Sequence, residues 1–166
     1  MPPRWPIRPA NPVEPLLLVF HVNGQRYALR LAVVARVLPM MEVALLPNAP
    51  GAVVGVINVA GRIVPVMDLR QRFGLPPRES LLSDVLILAR TSARMVALPA
   101  DGVTGLLERV DTEVTPAASI APGLQHVDGV VKLDDGLALI HDVDTFLSLG
   151  EQEQLTRAFD GEEGRA

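Results

Sequence analysis

Short apolar runs broken by turn residues dominate the chain between Leu16 and Leu149. "LLLVFHV" is followed by Asn23-Gly24 and then by "QRYALRL", and Asn-Gly tolerates the positive φ angles that a two-residue hairpin turn demands. "VVGVINV" and "RIVPVM" flank Ala60-Gly61 in the same way. "SDVLILA" and "RMVALPA" enclose Arg90–Ala93, and "VDGVVKL" and "LALIHD" enclose Asp134–Gly136, with Gly136 read as part of that turn. Four hairpins are therefore predicted, with proline-rich loops at Pro47–Pro50 and Leu75–Ser80. Pro65 lies inside a strand pattern and has no N–H to donate, which predicts an edge position or a bulge. Short strands at this spacing imply an all-β fold, a barrel or a sandwich.

An internal repeat narrows that choice. Shifting the chain by 74 residues lays "GVINVAGRIVPVMDLRQRFG" (Gly55–Gly74) over "GVVKLDDGLALIHDVDTFLS" without a gap. Gly55 then meets Gly129, Val66 meets Ile140, Asp68 meets Asp142 and Phe73 meets Leu147. A shift of 69 pairs the earlier segments, Ala28-Leu29 with Ala97-Leu98 and Val34 with Val103. The pattern implies two similar β units of about 65–70 residues, each too small to be very stable alone.

In both copies the aspartate stands directly before a short helical pattern. Asp68 and Asp142 are read as N-caps, whose carboxylates accept from backbone N–H groups left unpaired in a first helical turn. Gly74 and Gly150 are read as the corresponding helix terminators. Residues 1–15 are proline-rich and lack apolar periodicity, which predicts an extended tail. Residues 151–166 are polar and acidic, and Leu155 and Phe159, four apart, allow an acidic tail or one short helix.

Composition removes several kinds of chemistry. The chain has no cysteine, which excludes disulfides, thiolate metal sites and cysteine nucleophiles. A net charge of −4 argues against nucleic acid as a partner. No apolar run approaches the ~18 residues of a membrane span, and no signal peptide is visible, so a soluble cytoplasmic protein is expected. His21, His126 and His141 show no metal-ligand spacing, and His21 and His141, alternating with apolar neighbours, are expected to face solvent. No phosphate-binding glycine motif occurs, and neither Ser119 nor Ser148 lies near a histidine–acid pair in sequence. Nothing points to an enzyme, a metal or a cofactor.

The ordered set "LLLVFHVNGQRYALRLAVVARV", "LPNAPGAVVGVINVAGRIVPVMDLRQRFG", "ALPADGVTGLLERV" and "VDGVVKLDDGLALIHDVDTFL" resembles the CheW-like adaptors of bacterial chemosensory arrays. The resemblance implies two five-stranded SH3-like β-barrels, the first over about 16–82 and the second over about 83–150. It implies a non-enzymatic scaffold that links the cytoplasmic tip of a chemoreceptor to the regulatory domain of a CheA-type histidine kinase at membrane-associated arrays. Carried over by position, the receptor-groove candidates are Val34, Arg36, Asn58, Ala60 and Val103. The family commonly has glutamate where Arg36 stands and arginine where Ala60 stands. That departure leaves two readings, drift on an exposed surface or altered partner choice. The alternatives to a chemotaxis adaptor are one serving pilus motility or second-messenger control, and a β-barrel ligand-binding protein or enzyme.

Overall fold

The computed structural model describes residues 16–109, 113–121 and 126–163, so the expected proline-rich arm lies outside the described residues. Strand β1 (Leu16–Val22) and strand β2 (Gln25–Arg30) form a hairpin about Asn23-Gly24, with φ of 55° and 76°. After β3 (Val34–Pro39), strands β4 (Val53–Val59) and β5 (Arg62–Met67) turn on Ala60-Gly61, with φ of 50° and 87°. Strands β6 (Val85–Arg90) and β7 (Met95–Ala100) pair next, followed by β8 (Gly102–Glu108) and β9 (Val114–Pro116). The last hairpin joins β10 (Val127–Leu133) to β11 (Gly136–His141). Its turn is Asp134-Asp135 alone, and Gly136 is the first residue of β11 rather than a turn residue.

The strands form two sheets, ordered β8-β1-β2-β11-β10-β9 and β3-β6-β7-β5-β4. This corrects the expected division near residue 82. Hairpin β1–β2 inserts between β8 and β11 of the second half, and hairpin β6–β7 inserts between β3 and β5 of the first. The two repeats have exchanged their first hairpins. The connections enforce the exchange. Asp101 alone separates β7 from β8, and only the 3-10 turn Leu31–Val33 separates β2 from β3. A single residue is shorter than the two-residue loop of a tight hairpin, so β8 continues into the other sheet instead of folding back on β7.

Within this exchanged frame the copies agree in detail. A register shift at Val53/Gly55 has its counterpart at Val127/Gly129. A Cβ on Gly55 would overlap the Ala44 carbonyl, and one on Gly129 would lie 2.9 Å from the Thr115 oxygen, so both positions admit a crossing chain only as glycine. Each unit closes with a parallel pairing, Val66 with Ala97 and Ile140 with Ala28. Pro65 therefore sits in an interior strand, not at an edge. Its place is tolerated because β5 registers with β7 only at Val66↔Ala97.

Asp68 heads α1 (Leu69–Arg72), its carboxylate accepting from the Gln71 N–H at 3.0 Å. Asp142 heads a 3-10 turn (Val143–Thr145) and accepts from the Asp144 N–H at 3.1 Å. Gly74 follows α1 with φ of 69°. Gly150 terminates nothing; it is the second residue of α3 (Leu149–Glu163), which follows the one-turn helix α2 (Ala117–Ile120). A capping box starts α3: Ser148 Oγ accepts from the Glu151 N–H, and the Glu151 carboxylate accepts from the Ser148 N–H. The segment from 151 is thus no loose tail. Leu155 and Ala158 are buried, and Phe159 packs on the same core as both sheets.

The core has three parts. Leu17, Val19, Ala28, Val131 and Ile140 fill one barrel, and Ile57, Val64, Val66, Leu86 and Leu88 fill the other. Between the sheets, Leu18, Phe20, Val22, Tyr27 and Leu29 meet Met67, Ile87, Val96 and Leu98, with Phe146, Leu147 and Leu155 alongside. Strand β1 sends Leu17 and Val19 to its barrel and Leu18 and Phe20 to the junction. A strand covered on both faces reads as a continuous apolar run, which is what "LLLVF" is.

Candidate functional site

The junction between the barrels is aromatic at one end. Phe73, at the end of α1, stacks on Tyr27 at 4.4 Å and on His141 at 4.3 Å between ring centroids. Phe146 meets Phe73 and His141 edge-on. Tyr27 and His141 belong to one sheet, whereas Phe73 follows β5 of the other, so Phe73 is a wedge that fixes how the barrels sit together.

His141 corrects the expectation of a solvent-facing ring, since the residue is only 6% exposed. Ile140 fills its barrel and His141, on the opposite face of β11, lies beneath the wedge, so both are buried and strict alternation gives way. Burial drives the pKa of His141 down from 6.5 to about 4, although a hydrogen bond with the His126 carbonyl opposes the shift. The imidazole is neutral near pH 7. Nδ1 lies 2.9 Å from that carbonyl oxygen, so the proton resides on Nδ1. Nε2 is buried and has no hydrogen-bond partner among the described residues. His21, by contrast, is half-buried over Gly102, with Nδ1 3.3 Å from Thr104 Oγ1.

A charged clasp holds the proline-rich loop on the far side. Asp101 receives Arg70 at 3.1 Å and Arg78 at 2.6 Å and accepts from the Asn23 N–H at 2.8 Å. Arg78 also bridges to the buried Asp84, which in turn accepts from the Leu81 N–H. Burial pushes the Asp101 carboxyl upward, but the Asn23 N–H and the two arginines outweigh it and hold the group below its ordinary value. These contacts tie α1, the 75–84 loop and the tip of the first hairpin together.

The groove candidates fall into three groups. Val34 and Arg36 share β3, an edge strand, where Val34 packs on the inter-sheet core and Arg36 is exposed opposite Leu88. Asn58 and Ala60 share one turn, and the Asn58 side chain accepts from the Gly61 N–H at 2.8 Å, so it also holds the turn. Val103 lies on β8, the edge of the other sheet, at the position 69 residues beyond Val34. Val34 and Val103 are thus equivalent positions on equivalent edges. Among the described residues no hydrogen bond or ion pair links the three groups.

Two apolar residues on the same edges escaped the sequence reading. Val37 on β3 is 42% exposed and Leu106 on β8 is 61% exposed. They too are 69 apart, so the overlay that paired Val34 with Val103 contained the signal.

The family model described as "CheW-like domain" matches residues 16–151, nearly all of the described chain. The chain belongs to the CheW-like domain family. It is 27% identical over 139 residues to the chemotaxis protein CheW of Rhizobium meliloti (strain 1021), an alignment covering 82% of this chain and 90% of that protein. Identity to the chemotaxis protein CheW of Thermotoga maritima is 26%, over 79% of this chain and 86% of that one. In structure it is similar to the scaffolding protein TtCheW from Thermoanaerobacter tengcongensis, with a TM-score of 0.74 at 23% identity. That match covers 83% of this chain and 95% of the other, and it shows the two-barrel CheW fold. CheW-family proteins are non-enzymatic scaffolds. No helix among the described residues is long and apolar enough to cross a membrane.

Proposed function

We propose that this chain is a chemotaxis adaptor that couples chemoreceptors to a CheA-type histidine kinase. In this reading the receptor's cytoplasmic tip docks as a helix near Val34, Arg36, Asn58, Ala60 and Val103, while the regulatory domain of the kinase meets a barrel. The adaptor works in the cytoplasm and reaches the membrane only through its partners at the array. The observation that carries the reading is the pair of equivalent edges, β3 and β8, each with a valine within its first two residues and an exposed aliphatic three residues on. Aliphatic surface backed by a rigid core suits an amphipathic helix, which docks through side chains at i, i+3 and i+4.

Charge is arranged differently from the usual pattern of the family. A guanidinium stands on β3 at Arg36, and the exposed turn residue Ala60 has none. Rim charges govern specificity and on-rate more than apolar affinity. This adaptor is therefore read as matched to a receptor with an acidic group facing β3.

Biosensor titration with two separate analytes tests the proposal: a soluble cytoplasmic receptor fragment and the kinase regulatory domain. Val34→Asp is expected to weaken receptor binding at least tenfold, a loss of about 1.4 kcal/mol, and to leave kinase binding within twofold. Receptor affinity unchanged in Val34→Asp would remove β3 from the docking surface.

A further inference from the structure

The aliphatic side chains of the two edge strands share one orientation. Val34 stands opposite Ala89 and Val37 opposite Ile87, with a bulge between the pairs. Val103 stands opposite Phe20 and Leu106 opposite Leu18, again across a bulge. Residues directly opposite in an antiparallel pair lie on the same face of the sheet. Ala89, Ile87, Phe20 and Leu18 all belong to the core between the sheets. The four edge residues therefore lie on the junction side of their sheets, at its rim, where Val37 and Leu106 remain exposed.

The chain enters the fold beside both edges. Leu16 pairs with Glu108 at the end of β8, and β1 lies against the 3-10 turn that leads into β3. Residues 1–15 precede it, outside the described residues. Their sequence lacks helix or strand periodicity but has a period of three, with proline at 3, 6, 9, 12 and 15. A polyproline II helix has three residues per turn. On such a helix Ile7, Ala10 and Val13 fall in one row beside the proline row, and Arg8, Asn11 and Glu14 fall in the third. Two apolar rows and one polar row suit a segment that lies along an apolar surface.

We propose that residues 1–15 fold back as a polyproline II strap over Leu106 and Val103 on the β8 edge, in competition with the receptor helix. Length permits it. At 3.1 Å per residue the segment reaches about 45 Å, against roughly 23 Å for the whole of β8, so a turn at the exit leaves ample chain. Prolines have no N–H to donate, which rules out a continuous ladder with β8, and the strap is held by side chains instead. Tethering keeps it at an effective concentration of about millimolar, at which weak contacts fill the seat and a receptor helix still displaces them. The seat stands on the observations above, whereas its effect on the receptor rests on the docking reading.

A single indole reports the strap. Trp5 is the only tryptophan, so Trp5→Phe/Ile7→Trp moves it to the aliphatic row within the full chain. Its emission should lie to the blue of that in a free peptide of the same residues 1–15, and acrylamide should quench it more slowly. Adding Leu106→Asp, at an exposed edge position, should erase both differences. In the otherwise native chain, Ile7→Ser/Val13→Ser should raise affinity for a soluble chemoreceptor fragment about fivefold, as for a groove that the strap leaves free about one-fifth of the time. An indole as exposed as in the peptide, or one still shielded after Leu106→Asp, would overturn the strap on β8. Shielding that grows with protein concentration would give the seat to the arm of a second copy and overturn the intramolecular contact. Unchanged receptor affinity in Ile7→Ser/Val13→Ser would overturn the competition. If the native chain does not bind the fragment at all, the docking reading falls, and the indole alone decides the strap.

Discussion

The two halves of this chain are built on one backbone plan and filled with different chemistry. Strands β1–β3 repeat as β6–β8, and β4–β5 repeat as β10–β11, with the same bulge beside the same glycine. Where the halves meet, Tyr27, His141 and Phe73 stand on one side, and their counterparts are Val96, Met67 and Leu147. All but His141 belong to a single inter-sheet core, and His141 stacks on it. The ladder constrains the backbone, whereas side chains at the junction are free to differ provided that volume is filled. The aliphatic end is uniform packing. The aromatic end also carries a titrating group, His141.

The largest expected difference concerns the wedge residues. Phe73→Ala should cost about 4 kcal/mol and Leu147→Ala about 3 kcal/mol, measured by urea unfolding of each variant. The excess reflects stacking on Tyr27 and His141, since aromatic pairs contribute roughly 0.5–1.5 kcal/mol beyond their burial. If Leu147→Ala proved the costlier change, the aromatic end would not be the stronger half of the junction.

Much of this architecture was legible in the sequence, and the reason differs from one feature to another. The Asn23-Gly24 hairpin and the 74-residue echo depend on local constraints, positive φ and close approach, which restrict residue type directly. The hairpin exchange was not legible in the overlay, because an overlay identifies equivalent strands without saying which copy pairs with which. Its one trace is the single residue Asp101 between two strands, too short for a turn. His141 was misplaced because alternation assumes one open face, and Phe73, distant in sequence, closes that face. The docking candidates came from family resemblance, while Val37 and Leu106 needed the exposed edges to be seen.

Acid distinguishes the halves next. In the unfolded chain the His141 imidazole protonates near 6.5, whereas in the folded protein it does so only near about 4. Between these values the unfolded state binds the extra proton, so stability falls as the pH drops through that window and levels off below it. The loss from pH 7 to pH 4.5 should be roughly 2–3 kcal/mol from this residue. His141→Met installs the residue of the equivalent position, Met67, and should remove that component. Urea midpoints of the two proteins at pH 7 and pH 4.5 give the comparison directly. Equal acid sensitivity would assign the effect to carboxylates such as Asp101, whose clasp also weakens when it protonates.

The smallest effect compares two turns of the same shape. Asn23-Gly24 and Ala60-Gly61 both place their first residue in the left-handed region, at φ of 55° and 50°. Alanine there crowds its Cβ against the following carbonyl, at a cost of roughly 1–2 kcal/mol, while asparagine adopts this conformation more readily. Ala60→Asn should therefore stabilise the protein by about 0.5–1 kcal/mol and raise Tm by about 1–4 °C. Asn58 already accepts from the Gly61 N–H, so the gain comes from the backbone conformation at position 60 and not from a new clamp on the turn. Ala60 is exposed on the proposed receptor surface, so the variant separates two causes for its presence. A higher Tm with unchanged receptor binding makes alanine an accident of an exposed turn; a higher Tm with weakened receptor binding means that a small side chain is retained there, against the preference of the turn, for the partner it meets.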